Sequence, residues 1–431
     1  MQDEKKVAET EEVVRRVMAK FEARLRESLK ENPGSLHEIE LDVDNLGDMI
    51  KQEITKEMVD RLGDGYQGTR ISCQQCSGKA RFYGQRDREI ITLHGRLRYK
   101  RAYYYCARCR WSWSPVDRQL DLGSDDCSRM VCSLAARVAS YLPFGVAAEE
   151  LRALRRIDIS ATTVQRQAKK VGARMGRKWD DLLALAALGQ APPSEIYPNR
   201  LFMAMDAAKC HVGGRWRDAK LGAVYHRSDD GRIEYAQYYA SLDQSVDFGP
   251  RMAMLAHVAG GDNCDDHQML GDGAEWIWFE TGKHAPTAIQ TLDMFHGCEY
   301  LQTFAKARYG EGGGMARKWV DAQKKCLLYG DGIEAVLQEV AAWRPRSKAG
   351  GEVKRTTLNY LTAHRDRMNY KELREKGYDI GSGLIESGCK AVIKARIGGA
   401  GMRWEHDGAS AVLHLSAFWR GDQAASFLQY T

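Results

Sequence analysis

The sequence predicts a multidomain α/β protein. Its 431 residues exceed what one compact core holds. Between residues 196 and 296, short apolar runs ending in carboxylates alternate with helical stretches, the order of strands feeding helices. Two CxxC pairs, Cys73/Cys76 and Cys106/Cys109, mark a separate small module upstream. Charged residues make up 28% and hydrophobic residues 44%, ordinary for a globular chain, and the net charge of +6 is compatible with nucleic acid without requiring it. No run of 18 apolar residues occurs, so no membrane span is expected. The charged N-terminus, Asp3 to Lys6, is not a secretory signal. Eleven cysteines, four of them in CxxC pairs, fit a reduced, cytoplasmic setting and a metal site.

Residues 1–68 read as N-terminal helices. Val7, Val13, Val14, Val17, Met18, Phe21 and Leu25 recur at helical spacing up to Asn32-Pro33-Gly34, and Leu46, Met49, Ile50, Ile54, Met58 and Leu62 continue the period. Two packing helices and a dimerisation arm both fit.

Residues 69–118 carry the CxxC pairs around two strand-like runs, Glu89 to Leu93 and Leu97 to Tyr105, joined by His94-Gly95-Arg96. Four thiolates across a hairpin make the closed tetrahedral site of a zinc ribbon, with Cys73, Cys76, Cys106 and Cys109 holding Zn²⁺. Metal would stabilise a module too small for a core of its own. Arg96, Arg98, Lys100 and Arg101 alternate with tyrosines there, a pattern for phosphate contact or for a solvated face over an aromatic core.

Residues 124–190 read as a helical, helix-turn-helix-like DNA-binding domain. Helices are expected over Ser128–Leu142, Val146–Leu154 and Ala161–Arg174, the last capped by Ser160. Thr163, Gln165, Arg166, Lys169 and Lys170 on the third suit a major groove, although any three-helix bundle has the same pattern. The Ala-Leu stretch to Leu188 and Pro192-Pro193 read as a linker.

In residues 196–296, a short strand, Leu201 to Asp206, ends in a carboxylate. Strands Asp218–His226 and Arg232–Ala240 follow, joined by Asp229-Asp230-Gly231, then a helix from Phe248 to Ala259. A fourth strand delivers Gly271-Asp272-Gly273, and a fifth, Thr287–Leu292, delivers Asp293, which with His296 opens another helix. Three strands, helix, strand, helix, strand is the order of a ribonuclease H-like core, in which the first and fourth strands are neighbours, so Asp206 and Asp272 should converge. Residues 297–378 read as an all-helical insertion. Residues 379–431 should complete the core: Ser382 and Gly383 start a helix, Glu386 lies one turn in, and Lys390 shares its face. A glycine-rich loop bearing Arg403 and Trp404 precedes a closing helix, Ala409–Trp419.

The segments GDGAEWIW around Asp272, LDMFH over Leu292–His296, IGSGLIESGCK around Glu386 and GMRW from Gly401 resemble a DDE transposase of a bacterial insertion sequence. The similarity is to the ISKra-type family, related to Mutator-like transposases, and covers about residues 70–420. It implies a ribonuclease H-like catalytic domain with a helical insertion before the glutamate. It also implies a catalytic triad matching Asp206, Asp272 and Glu386, holding Mg²⁺ or Mn²⁺. Two such ions ~4 Å apart activate the attacking hydroxyl and stabilise the leaving oxygen, and Mg²⁺ favours carboxylate oxygens. Where related enzymes often have glycine, Ala207 follows Asp206.

Asp293 and His296 are expected beside that centre, or else as a helix N-cap pair; Lys390, Arg403 and Trp404 are expected to contact DNA, or else to serve the core. The partners implied are double-stranded DNA, both element ends and target, and a second copy of the chain on that DNA, in the bacterial nucleoid. Two other readings stay open: a catalytically silent, transposase-derived DNA-binding protein, and a metal-dependent nuclease without a joining step.

Overall fold

The computed structural model describes residues 2–30, 35–228, 230–311 and 314–422. The expected break at Asn32-Pro33-Gly34, Asp229 of the expected turn and the side chain of Val7 lie outside the described residues. The fold is mixed α/β with two sheets. The chain divides into two compact units, residues up to Val138 with Pro143–Gln167, and Ala139–Leu142 with Ala168 onward.

In the first unit, helices Gln2–Ser28 and Leu36–Asp60 pack together, the second capped by Ser35, whose hydroxyl accepts from Glu38 N. Arg16 pairs with Glu57 and Lys20 with Glu53 across the seam, while Val14, Met18, Ile54 and Met58 stay exposed. An antiparallel sheet follows in the order β1 (Arg70–Ser72), β2 (Lys79–Thr92), β3 (Gly95–Tyr105), β4 (Ser112–Trp113).

Strand β2 begins ten residues before the expected Glu89. Its charged, solvent-facing residues hide the alternation because the hairpin buries opposite faces at its two ends. At one end Ile90, Leu97 and Tyr99 pack on Val59 and Val116; at the other Ala80, Ala102 and Tyr104 pack on Trp113 and two cysteines. The bulge at Tyr83, between the pairs Phe82–Tyr104 and Gly84–Tyr103, turns β2 from one face to the other.

Three helices follow, Arg129–Tyr141, Phe144–Arg155 and Ala161–Ala187. Thr163 N donates to Ser160 Oγ at 3.1 Å, the expected cap. The third helix runs thirteen residues past Arg174, so the Ala-Leu stretch read as linker is helical. No proline intervenes before Gly189, and Gly176 is accommodated within the helix; the φ of +67° at Gly189 lets the chain turn out of it.

The second unit is built on a five-stranded sheet, β5 (Leu201–Val212), β6 (Arg215–Arg227), β7 (Ile233–Ser241), β8 (His267–Gly271) and β9 (Ile289–Leu292). The order is β7-β6-β5-β8-β9; the first three are antiparallel, and β8 and β9 run parallel to β5. Asp206 does not end its strand, as the sequence reading expected. Strand β5 runs on to Val212 because Gly213 and Gly214, at φ +59° and +75°, close a tight hairpin to β6. Only the pairing with β8 stops early, at Ala204–Leu270.

Helices Ser245–Val258 and Glu275–His284 lie between strands β7, β8 and β9 in the chain. Between residues 297 and 378 the described residues form helices and no strand, and Phe304 anchors their core with Trp319 and Trp343 at ring distances of 5.1 and 5.0 Å. Helix Gly383–Gly388 continues as a wide π turn, Cys389–Lys394, and packs on β5 and β6. Gly388 lies over Leu221, the residue paired with Asp206; a Cβ there would come within 2.8 Å of Leu221.

Candidate metal sites and active centre

Two groupings of chemically capable side chains stand out, one in each unit. In the first unit, Cys73 and Cys76 lie on the turn between β1 and β2, and Cys106 and Cys109 on the turn between β3 and β4. Both turns end in a left-handed residue, Ser77 at φ 56° and Arg110 at φ 59°. Backbone bonds close each one, from Cys73 N to Gly78 O and from Cys106 N to Trp111 O. All four sulfurs lie within 4.8 Å of one another, with Cys73–Cys109 at 3.6 Å and Cys76–Cys106 at 3.7 Å. Ligands about 2.3 Å from a tetrahedral zinc sit about 3.8 Å apart, so the four thiols fit a metal such as zinc. The backbone N–H of Cys109, followed by that of Arg108, points at Cys106 and holds its thiol down to about 7, toward the thiolate a metal needs.

The basic residues of the hairpin are not equally available. Arg96 and Arg98 are exposed but share Glu89, and Lys100 is exposed beside them. Arg101 is turned inward and pairs with buried Asp117, which also takes Arg88 at 2.8 Å and the hydroxyl of Tyr99 at 2.6 Å. Arg101 therefore serves the fold of the hairpin. On the helix from Ala161, Arg166 and Lys170 are exposed and Thr163, Gln165 and Lys169 half-buried. Thr163 belongs to the Ser160 cap, and the stem of Lys169 lies against Gly408.

In the second unit, Ala204 pairs with Leu270 on adjacent parallel strands. Asp206 and Asp272 each follow by two residues, just past the last pair of that ladder, so both lie at the same end of adjacent strands, near enough for the charge of Asp272 to act on the Asp206 carboxyl. Asp272 Oδ1 accepts from Ala274 N at 2.9 Å, and Asp206 Oδ1 from Ala207 N at 2.6 Å. Burial and then the neighbouring Asp272 raise the carboxyl of Asp206 above the usual range.

Glu386 is not drawn in with them. It is exposed and takes Lys390 Nζ at 2.7 Å, one helical turn on. Three residues after Glu386, the Cys389 thiol is buried near Asp206, and burial, then the charge of Asp206, keeps that thiol neutral. Among the described residues, the four cysteines alone bring three or more His, Cys, Asp or Glu ligand atoms within 4.8 Å. Of the three expected carboxylates, Asp206 and Asp272 lie at the same end of adjacent strands, and Glu386 stands apart on the helix packed against β5 and β6.

Asp293 is buried and caps the helix Met294–Tyr309, accepting from Phe295 N at 2.6 Å and His296 N at 2.9 Å. Its other oxygen takes the backbone N–H and hydroxyl of Ser382. The helix begins at Gly383 directly after Ser382, as expected, and the Ser382 side chain donates to Asp293. Asp293 thus pins the start of the Glu386 helix to the end of β9. Burial alone would raise its carboxyl, but His296 and Ser382 outweigh that and hold it down to about 2. His296 Nδ1 lies 3.5 Å from Asp293, and that carboxylate raises the imidazole to about 9, helped by Asp272. At neutral pH His296 is a cation facing both acidic tips.

Trp404 is half-buried, bridged to Val212 with its carbonyl accepting from Gly213 N, and Arg396 lies over its ring; Arg403 is exposed. Sequence reading missed Tyr360 as well as Cys389. The Tyr360 hydroxyl donates to the backbone carbonyl of Asp272 at 2.9 Å, with its ring stacked on Tyr300. One signal was present: Gly273 has φ +99°, and a Cβ there would lie 2.5 Å from that hydroxyl.

The chain matches no protein-family model and no curated protein.

Proposed function

We propose that the chain is a DDE-type DNA transposase that binds the terminal inverted repeats of its element, cuts DNA strands and joins the 3′-hydroxyls to a target. The observation that carries this is that Asp206 and Asp272 follow the last paired residues of adjacent parallel strands, at the same end of the sheet, with the Glu386 helix packed on β5. The order of the five strands, three antiparallel and then two parallel, supports reading the second unit as a ribonuclease H-like core. The four-cysteine hairpin supports a zinc ribbon, and the three helices after it a DNA-binding helix-turn-helix.

Asp206, Asp272 and Glu386 would hold divalent Mg²⁺ or Mn²⁺, which when bound activates the attacking hydroxyl and stabilises the leaving oxygen. Glu386 reaches them only by leaving Lys390. An exposed pair of this kind contributes ~1 kcal/mol or less, so the move is inexpensive beside metal coordination. Protonated His296 is unsuited to ligating metal and suited to holding the scissile phosphate. Tyr360 fixes the backbone that presents Asp272. Exposed Arg98, Lys100, Arg166 and Lys170 supply phosphate contacts.

The test is strand cleavage of terminal-repeat DNA with Mg²⁺ or Mn²⁺, followed by joining of precut ends. D206A, D272A and E386Q should each abolish both, and undiminished activity in any of them would remove that residue from the centre. The Glu386–Lys390 pair favours a second reading, a catalytically silent DNA-binding protein. Specific repeat binding without cleavage under either metal would select it, and cleavage without joining would indicate a nuclease.

A further inference from the structure

On the face of β5 opposite Asp206, alternate residues Met203 and Met205 line a cavity of about 220 Å³, joined by Met252 and Met269. Its wall contains Glu280 and His284, one turn apart on helix Glu275–His284. The Glu280 side chain is 2% exposed. Its Oε2 and His284 Nε2 lie 3.5 Å apart, and neither atom has a hydrogen-bond partner among the described residues. Gly249 faces them, and a Cβ there would sit 2.2 Å from Glu280 Oε2. The glycine leaves the room that the carboxylate occupies.

The other titratable groups of the wall are engaged. His257 bonds Asp262 at 2.6 Å and the Pro192 carbonyl at 2.9 Å, and His267 bonds the Gly261 carbonyl at 2.9 Å. Thr281 donates to the Ile277 carbonyl at 2.6 Å. Burial lowers the His284 imidazole below its ordinary range, so at neutral pH it does not cancel the carboxylate. A buried carboxylate without a donor is unfavourable, and an apolar wall supplies none. A metal ion is a poor occupant: among the described residues no third His, Cys, Asp or Glu joins these two within 4.8 Å.

We propose that this cavity binds a small organic cation, a protonated amine or amidinium on an apolar body, with the head on Glu280 and His284 and the body among the methionines. The volume lies at the small end for ligand pockets, which limits the body to about one ring. This site is separate from the acidic centre and does not depend on the function proposed above.

Benzamidine, with its neutral counterpart benzamide as control, is titrated calorimetrically into the full chain, the E280Q and H284Q variants, and D272A. Benzamidine should bind the wild type and D272A alike. Binding should weaken about tenfold or more in E280Q, the scale for losing one buried charge-assisted bond. H284Q should weaken it less, and benzamide should not bind. Equal binding of benzamide, undiminished binding to E280Q, or no binding of benzamidine to the wild type would each overturn the proposal. Should E280Q fail to fold, the contrast between benzamidine and benzamide on wild type decides.

Discussion

Asp293 shows how one side chain can hold distant segments together. It caps its own helix and, 89 residues along the chain, grips Ser382 at the start of the helix that carries Glu386. Replacing it by Asn removes the charge from a buried site with several donors, and D293N should lose roughly 2–3 kcal/mol in urea unfolding. The pH dependence follows from the pair. Asp293 is held below its unfolded value of ~3.9, so its contribution is present above that value and lost as pH falls through about 2. His296 is raised above its unfolded ~6.5, so its contribution is complete below that value and lost as pH rises through about 9. Melting temperatures of wild type, D293N and H296Q across this range should show both losses in wild type, with the alkaline one absent in H296Q. Gly273 is the other single-residue determinant. G273A combines a left-handed backbone with a clash against Tyr360, and should destabilise by about 1–3 kcal/mol in the same assay. The sequence singled out Asp293 and this glycine, but neither Ser382 nor Tyr360 as their partners, because those contacts join residues far apart in the chain.

At the scale of elements, periodicity located most helices and strands and misjudged those whose neighbours decide. The β2–β3 hairpin buries opposite faces at its ends, so no single alternation marks it. The helix from Ala161 continues through a stretch that composition alone presented as a linker. The CxxC turns were legible because the spacing itself carries the geometry, and the four sulfurs do gather. Their small apolar cluster around Tyr104 and Trp113 cannot by itself stabilise the module. Adding a strong chelator should release one equivalent of zinc and collapse the near-ultraviolet dichroism of the stacked Trp111 and Trp113, and C106S should abolish zinc retention. A protein that keeps its dichroism without metal would show the hairpin to be self-sufficient.

For the whole molecule, the arrangement around the acidic tips makes a thermodynamic prediction that requires no DNA. Burial raises the Asp206 carboxyl most, and repulsion from Asp272 adds to the rise. On the proposed function, a divalent ion held by these residues would relieve that repulsion and stabilise the folded chain by mass action. Mn²⁺ at about 100 times its dissociation constant should add ~2.7 kcal/mol, seen as a raised melting temperature. D206N and D272N should lose that rise. E386Q should reduce it if Glu386 leaves Lys390 to join, and leave it unchanged if that ion pair persists. No helix among the described residues is long and apolar enough to cross a membrane, in line with the absence of a long apolar run.

By itself the sequence determined which residue types were available and in what local pattern: paired thiols on two turns, acidic residues following apolar runs, a glutamate one turn into a late helix. These follow from short-range geometry, which spacing along the chain records. Only the tertiary structure decided who meets whom. Pairing of parallel strands β5 and β8 brings Asp206 and Asp272 to the same end of the sheet, and a glycine hairpin carries β5 past Asp206. Packing turns Arg101 inward onto Asp117 and encloses Glu280 opposite Gly249. Such outcomes rest on contacts between residues distant in the chain, where burial and charge are set by neighbours that no local pattern names.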